Sequence, residues 1–86
     1  MDQNDQIDTK IVELIAQRGQ GKTICPSEVA RSLAGSDEKK WRLLMKPIRA
    51  RAIVLAEQQE IIISRKGKTI DPRNFKGIYR LGTPSR

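Results

Sequence analysis

The stretch WRLLMKPIRAR, residues 41–51, decides the fold and raises the question of function. It carries apolar residues at helical spacing, four basic residues, no acidic residue and a central proline. At about 100° per residue, the apolar side chains here and just beyond share one face within about a 100° arc; they are Trp41, Leu44, Met45, Ile48, Ala52 and Leu55. The pattern predicts an amphipathic helix over about residues 38–58, with Trp41 buried between it and the first helix.

Pro47 lies in the middle of this predicted helix. Proline removes one backbone hydrogen bond and crowds the carbonyl four residues earlier, which belongs to Leu43. Two interpretations follow: one helix kinked at Pro47, or a short helix over about 38–45 and a second over about 46–58. Because the apolar phase is the same on both sides of the proline, both halves face one core in either case.

The segment before residue 38 predicts two further helices. Ile7, Ile11, Leu14 and Ile15 share a helical face, and Gly19 follows, so the first helix is expected over about residues 5–18. A short extended piece, KTIC, comes next.

The second helix is expected over about residues 26–34. Pro26 suits the first helical position and places Cys25 at the N-cap, with Glu28 where a capping box needs an acceptor. Gly35 suits the position after the helix end. Glu28 is therefore interpreted as a cap and not as a catalytic acid. Cys25 is interpreted as a helix-start residue, with a reactive thiol at the helix N-terminus as the minor alternative.

A β-hairpin is predicted downstream of the long helix. The segment 61–65, which begins with three β-branched isoleucines, and the segment 77–81 predict its two strands, and residues 66–76 its tip. Phe75 and Tyr79 are expected to cover the core beneath it. The order of elements is that of a winged helix-turn-helix, a mainly α fold with a small β-hairpin. We therefore expect one domain over residues 1–86, with flexible tails at 1–4 and 82–86.

Three phrases of the sequence resemble a known family: TICPSEVAR at 23–31, WRLLMKPIRARA at 41–52 and DPRNFKGIYRL at 71–81. They are similar to recurring phrases of a small bacterial family that is recorded only as a domain of unknown function, with a predicted winged-helix fold. The resemblance covers roughly residues 7–81 and implies that fold, but no binding or active residues. More loosely, the chain resembles winged-helix DNA-binding regulators, without the ligand or dimer segments that many of them have.

Composition argues against several functions. Cys25 is the single cysteine and the 86 residues include no histidine, which excludes an intrachain disulfide, a Cys/His zinc site and His-based catalysis. No cofactor fingerprint or nucleophile–base pair is visible, so we expect no cofactor and no enzymatic activity. No apolar run approaches membrane length and the N-terminus lacks a signal-like segment, so a cytoplasmic location is expected.

The charge is divided unevenly along the chain. Residues 1–38 contain four basic and seven acidic residues, a net charge of −3, whereas residues 39–86 contain thirteen basic and three acidic residues, a net charge of +10. The total is +7. Such asymmetry predicts a surface that faces a polyanion.

The cations concentrate on the two elements that contact DNA in a winged helix, the third helix and the wing. Four lie within about an 80° arc of the predicted helix, opposite its apolar stripe, and five crowd the hairpin; these nine candidate contacts are Lys39, Arg42, Lys46, Arg49, Arg65, Lys66, Lys68, Arg73 and Lys76. Arginine bonds guanine bidentately, so Arg42 and Arg49 are expected nearest the bases, and Lys39 and Lys46 on phosphates.

Duplex DNA binding is therefore the leading prediction. A winged-helix module that docks a protein is the alternative, since a fold does not fix a function, and structured RNA is a weaker third option. A basic face that is merely solvated would look similar in sequence. Without a long dimerising helix, the chain is expected to be a monomer in isolation, with a homodimer as the alternative.

Overall fold

The structure is a computed structural model that describes residues 2–84. Its elements in chain order are the helices and strands α1 (Gln3–Arg18), β1 (Thr23–Ile24), α2 (Pro26–Ala34), α3 (Glu38–Trp41), a 3-10 turn (Arg42–Leu44), α4 (Met45–Glu57), β2 (Ile62–Arg65), β3 (Lys68–Thr69) and β4 (Arg80–Gly82). Met1, Ser85 and Arg86, part of the predicted flexible tails, lie outside the described residues. Within the described residues, α1 begins at Gln3 and β4 ends at Gly82, and the flexibility of the tails stays a prediction.

Helix α1 begins earlier than predicted because Asp2 caps it. The Asp2 carboxylate accepts a 2.9 Å hydrogen bond from the backbone N–H of Asp5, which satisfies one of the free donors at a helix start. The helix ends where expected, at Gly19, whose φ is 103°.

The predicted start and end of α2 are confirmed. Pro26 is its first residue, and the Glu28 carboxylate accepts a 2.7 Å hydrogen bond from the backbone N–H of Cys25. This is the acidic half of a capping box. At the other end, the backbone N–H of Gly35 donates to the Arg31 carbonyl and closes the last turn.

The long predicted helix is broken, not kinked. A 3-10 turn separates α3 from α4, and Pro47 is the third residue of α4. A backbone N–H in the first turn of a helix has no intrahelical partner, so proline costs no hydrogen bond there. The clash that proline makes with the carbonyl four residues earlier falls on Leu43, inside the 3-10 turn. The break therefore precedes the proline by one turn.

The sheet has four antiparallel strands in the order β1-β4-β2-β3. The last strand lies between β1 and β2, with Leu81 opposite Ile24 on one side and Ile63 on the other. The two-strand hairpin of the prediction is therefore incomplete, because β1 and β3 join the sheet. Its return strand is also shorter than predicted, since only Arg80 to Gly82 pair and residues 77–79 belong to the preceding loop.

The core lies between the three longer helices and the sheet. Fourteen apolar residues are buried: Ile7, Ile11, Ile15, Ile24, Val29, Ala30, Ile48, Ala52, Leu55, Ile61, Ile63, Phe75, Tyr79 and Leu81. Phe75 and Tyr79 meet edge to face, 5.2 Å between ring centroids, and cover the core as expected. In α4 the predicted stripe is buried at Ile48, Ala52 and Leu55.

Trp41 departs from the prediction. It is only partly buried, at the edge of the core, and the guanidinium of Arg31 lies over its ring at 5.8 Å from the ring centroid. The expected burial of Trp41 against the first helix is therefore wrong. The cause is the early break: α3 ends at Trp41, and it packs chiefly on α2.

A charged pair fastens α1 to α4. Arg51 donates two hydrogen bonds to the carboxylate of Asp8, at 2.9 and 2.7 Å, and both side chains are about three-quarters buried. This bidentate geometry gives Arg51 a structural role, although it belongs to the basic stretch 41–51. The whole is mainly helical with a small antiparallel sheet, compatible with a winged-helix-like fold that carries a β-hairpin. No helix within residues 2–84 combines the length and apolar character needed to cross a membrane.

Candidate nucleic-acid interface

Three predicted cations of the α3–α4 segment are exposed, Lys39, Arg42 and Lys46. Lys39 and Lys46 are exposed, whereas Ile48, on the opposite side of the segment, is fully buried. Arg42 is also exposed and forms a long ion pair with Glu38, at 3.4 Å, four residues earlier. A pair so exposed contributes little stability, so the guanidinium of Arg42 stays available to a partner. This face corresponds to the predicted helical contact surface.

The tip of the β2–β3 hairpin holds two more exposed lysines, Lys66 and Lys68. Only Lys66 and Gly67 connect the strands, and both have positive φ, 52° and 80°. Positive φ at both central residues is typical of a type I′ turn, which favours Asn-Gly because most side chains are strained there. Lysine is an unusual choice at this position. Its charge therefore projects from a tight and well-defined turn.

Two arginines of the predicted set bind the loop between β3 and β4. The Nε of Arg65 donates a 2.9 Å hydrogen bond to the Ile78 carbonyl. The Nη2 of Arg49 donates a 2.8 Å hydrogen bond to the Phe75 carbonyl, and its guanidinium lies 4.3 Å from the centroid of the Phe75 ring. These groups hold the loop against α4 and β2. That Arg49 contacts bases stays a prediction, since its guanidinium is engaged within the protein.

The same loop carries the last two predicted residues, Arg73 and Lys76. Arg73 is exposed and pairs with Glu57 of α4 at 3.0 Å. Its backbone N–H donates to the carboxylate of Asp71, which shapes the turn. Lys76, next to Phe75, is exposed. Because Arg49 of α4 contacts Phe75, the neighbouring Lys76 lies on the part of the loop that packs beside α4.

The lysines and arginines of this surface thus divide into two groups. All five lysines of the predicted set are exposed and form no ion pair within residues 2–84: Lys39, Lys46, Lys66, Lys68 and Lys76. Of the four arginines, Arg42 and Arg73 form exposed ion pairs, whereas Arg49 and Arg65 bind backbone carbonyls. We call the five lysines with Arg42 the basic surface.

A second arginine cluster lies elsewhere, around β1. Arg18 and Arg80 both donate hydrogen bonds to the Thr23 carbonyl, at 3.0 and 3.1 Å. Arg18 also pairs with Glu28. Burial alone would raise the pKa of Glu28, but the hydrogen bond from the Cys25 N–H and the charges of both arginines outweigh it and lower that pKa. The cluster ties α1, α2 and β4 to β1, and Glu28 neutralises one of its two positive charges.

Tyr79 is the one titratable group with a large pKa shift among the described residues. Burial raises the pKa of Tyr79 to about 12, and the positive charge of Arg49 offsets this only in part. Its hydroxyl is buried and has no hydrogen-bond partner in the described part of the chain. Within residues 2–84, no three Cys, Asp or Glu side chains lie close enough together to hold a metal ion.

Two exposed apolar residues beside the basic surface were not predicted. Leu43 in the 3-10 turn is 77% exposed, and Ile78 in the loop before β4 is 84% exposed. The sequence held a signal for both. Leu43 is off the apolar stripe by helical angle, four residues after Lys39 and three before Lys46. Ile78 alternates with the inward Tyr79 and shares its side with Arg80.

One protein-family model matches the chain. The model described as "Protein of unknown function (DUF3253)" matches residues 4–84, nearly the full length. The chain belongs to the DUF3253 family. The expected resemblance to a family of unknown function is thereby confirmed. Among curated proteins, no match to this DUF3253 chain was found. Membership of this family indicates common descent with its other members and does not assign a function.

Proposed function

We propose that the chain is a winged-helix domain that binds duplex DNA, with the α3–α4 segment in the major groove and the β2–β3 turn against backbone phosphates. The observation that carries the proposal is the basic surface: five lysines on three successive segments, exposed and without an ion pair in residues 2–84. A phosphate backbone neutralises such lysines with release of counterions. The looser resemblance to winged-helix regulators favours a regulatory role.

The arginines have distinct roles in this proposal. Arg42, whose only ion pair within residues 2–84 is long and exposed, is the candidate for a bidentate contact with guanine. Arg49 and Arg65 position the loop, and through it Lys76, because their guanidiniums bind the carbonyls of Phe75 and Ile78. The lysines supply charge and make the affinity depend on salt.

The experiment is a salt titration of duplex binding by fluorescence anisotropy. The logarithm of the affinity should fall linearly with the logarithm of salt concentration, with a slope of about −0.9 per neutralised phosphate. The double variant Lys66→Gln/Lys68→Gln should flatten this slope by about two phosphate equivalents and weaken binding to all sequences by similar factors. Both side chains are exposed, so its melting temperature should stay near that of the wild type.

A matched control variant lowers the net charge by the same amount on α1, away from the predicted contacts. Gln3 and Gln17 are exposed on α1, which carries none of the predicted contacts. The variant Gln3→Glu/Gln17→Glu also lowers the net charge by two, and it should retain the wild-type slope. An equal loss in both double variants would mean that only total charge matters and would count against a contact by the hairpin.

A protein-docking module is the second candidate, and the exposure of Ile78 favours it. The titration separates the two. If neither duplex DNA nor a structured RNA is bound in low salt, the basic surface is not a nucleic-acid site, and protein docking becomes the better proposal.

A further inference from the structure

Leu43 has an unusual setting on the basic surface. Its side chain is 77% exposed, so it contributes little to the core. It lies in the 3-10 turn between α3 and α4. Lys39 precedes it by four residues and Lys46 follows by three, and residues with these spacings are neighbours on one helical face. A large apolar side chain thus stands among exposed cations.

The charges beside Leu43 indicate which class of molecule could bind there. An apolar protein surface would have to desolvate Lys39 and Lys46 on docking, which is costly without acidic groups to pair with them. A nucleic-acid duplex pairs with the same lysines through phosphates. The major groove of DNA also offers one apolar group at its base edges, the 5-methyl group of thymine. Charge complementarity therefore favours DNA, and the leucine favours a thymine.

We propose that Leu43 contacts the thymine 5-methyl group in the major groove, and that the chain prefers A·T pairs carrying this methyl beneath the 3-10 turn. The inference rests on the proposed function and makes it more specific. Arg42, next to Leu43, would remain available for a guanine. The recognised sites would then combine a thymine with a neighbouring G·C pair.

The test compares two duplexes that differ only in the methyl group. One has alternating A·T pairs, and in the other deoxyuridine replaces every thymidine. Charge and hydrogen-bonding groups are equal in both. Burial of one methyl group corresponds to about a fourfold change in affinity, so the wild type should bind the thymine duplex about fourfold more tightly.

Three variants test whether Leu43 is responsible for the tighter binding of the thymine duplex. Leu43→Ala should bind both duplexes with nearly equal affinity, because alanine is too short to reach the methyl. Leu43→Met keeps the apolar reach and should retain most of the preference. Val12→Ala removes another exposed apolar group, on α1, where Val12 is 47% exposed, and should leave the ratio unchanged.

The outcomes separate the inference from the proposal on which it rests. Equal binding of both duplexes by the wild type, with the expected salt dependence, overturns the thymine contact and leaves DNA binding standing. A preference that survives in Leu43→Ala assigns the methyl contact to another residue and also overturns it. If neither duplex is bound in low salt, DNA binding itself fails and the thymine contact fails with it.

Discussion

Arg49 and Phe75 contact each other twice. The guanidinium of Arg49 lies over the Phe75 ring at 4.3 Å from its centroid, and its Nη2 donates a 2.8 Å hydrogen bond to the Phe75 carbonyl. The pair joins α4 to the loop that carries Lys76, across 26 positions of sequence. Arg49 is thus one of the side chains that hold the loop in place, together with Arg65 and Glu57.

Arg49→Ala should lower the free energy of unfolding by about 1–3 kcal/mol, since it removes a cation–π contact and a charged hydrogen bond to a carbonyl. Arg49→Lys keeps the charge but not the planar group, and should recover only part of the loss. Urea unfolding measures both. Arg42→Ala is the control: its exposed 3.4 Å pair should contribute less than about 0.5 kcal/mol. Equal losses for the two alanine variants would contradict the structural role of Arg49.

Lys66 is expected to lower the stability of the folded chain and to strengthen its binding to duplex DNA. A non-glycine residue in the left-handed region is strained by about 1–2 kcal/mol, and asparagine tolerates this region better. With φ at 52°, Lys66→Asn should therefore raise the free energy of unfolding by up to about 1 kcal/mol. It should also weaken duplex binding, because one phosphate contact is lost. A variant that gains stability with unchanged affinity would show that Lys66 does not contact DNA.

The single tyrosine permits a direct pH test. An unperturbed tyrosine titrates near pH 10, whereas burial raises the pKa of Tyr79 to about 12 in the folded chain. Since the folded state holds the proton more tightly, the stability from this group is fully present below about pH 10 and is lost as pH rises towards 12. Absorbance of ionised tyrosine should rise near pH 10 in denaturant and near pH 12 in the folded chain.

The matched variant is Tyr79→Phe. It removes a buried hydroxyl that has no hydrogen-bond partner in residues 2–84, so its stability at neutral pH should equal or exceed that of the wild type. Between pH 10 and 12 it should lose less stability than the wild type does. Folded Tyr79 that ionises near pH 10 would show that the hydroxyl is open to solvent.

The break before Pro47 divides the apolar stripe into two parts that differ in burial, so substitutions in them should differ in their cost to stability. Ile48 is fully buried in α4, so Ile48→Ala should cost about 2–5 kcal/mol, enough to unfold much of so small a domain. Trp41 is partly buried at the core edge, so Trp41→Ala should cost less despite the larger side chain. Thermal melts by circular dichroism rank the two. The reverse order would place the main core contact in α3.

Local signals predicted much of the fold. The isoleucines of α1, the capping residues Cys25 and Glu28 and the stripe of α4 are all determined by neighbours within a few turns, and the structure agrees with them. The pairing of β1 with β4 was missed because it joins residues nearly 60 positions apart, and a two-residue strand has no periodicity of its own.

Sequence reasoning predicted the exposure of several candidate contact residues but not the contacts that others make within the protein. Helical spacing placed Lys39, Arg42 and Lys46 on one exposed face, as the structure has them. It could not show that Arg49, on the same face, reaches Phe75, because that contact depends on how the loop folds back on α4. Nor could the sequence show how exposed Leu43 is, because its environment depends on where the helix breaks.

The outer strands of the sheet have a bearing on aggregation. β1 and β3 form the two edges and are each two residues long. An edge strand offers unpaired backbone groups to other copies of the chain, and a short edge offers few of them. Lys68 adds a charge to one edge, which opposes the approach of an identical strand. The lysine proposed to contact phosphate thus also protects the sheet from growth between molecules.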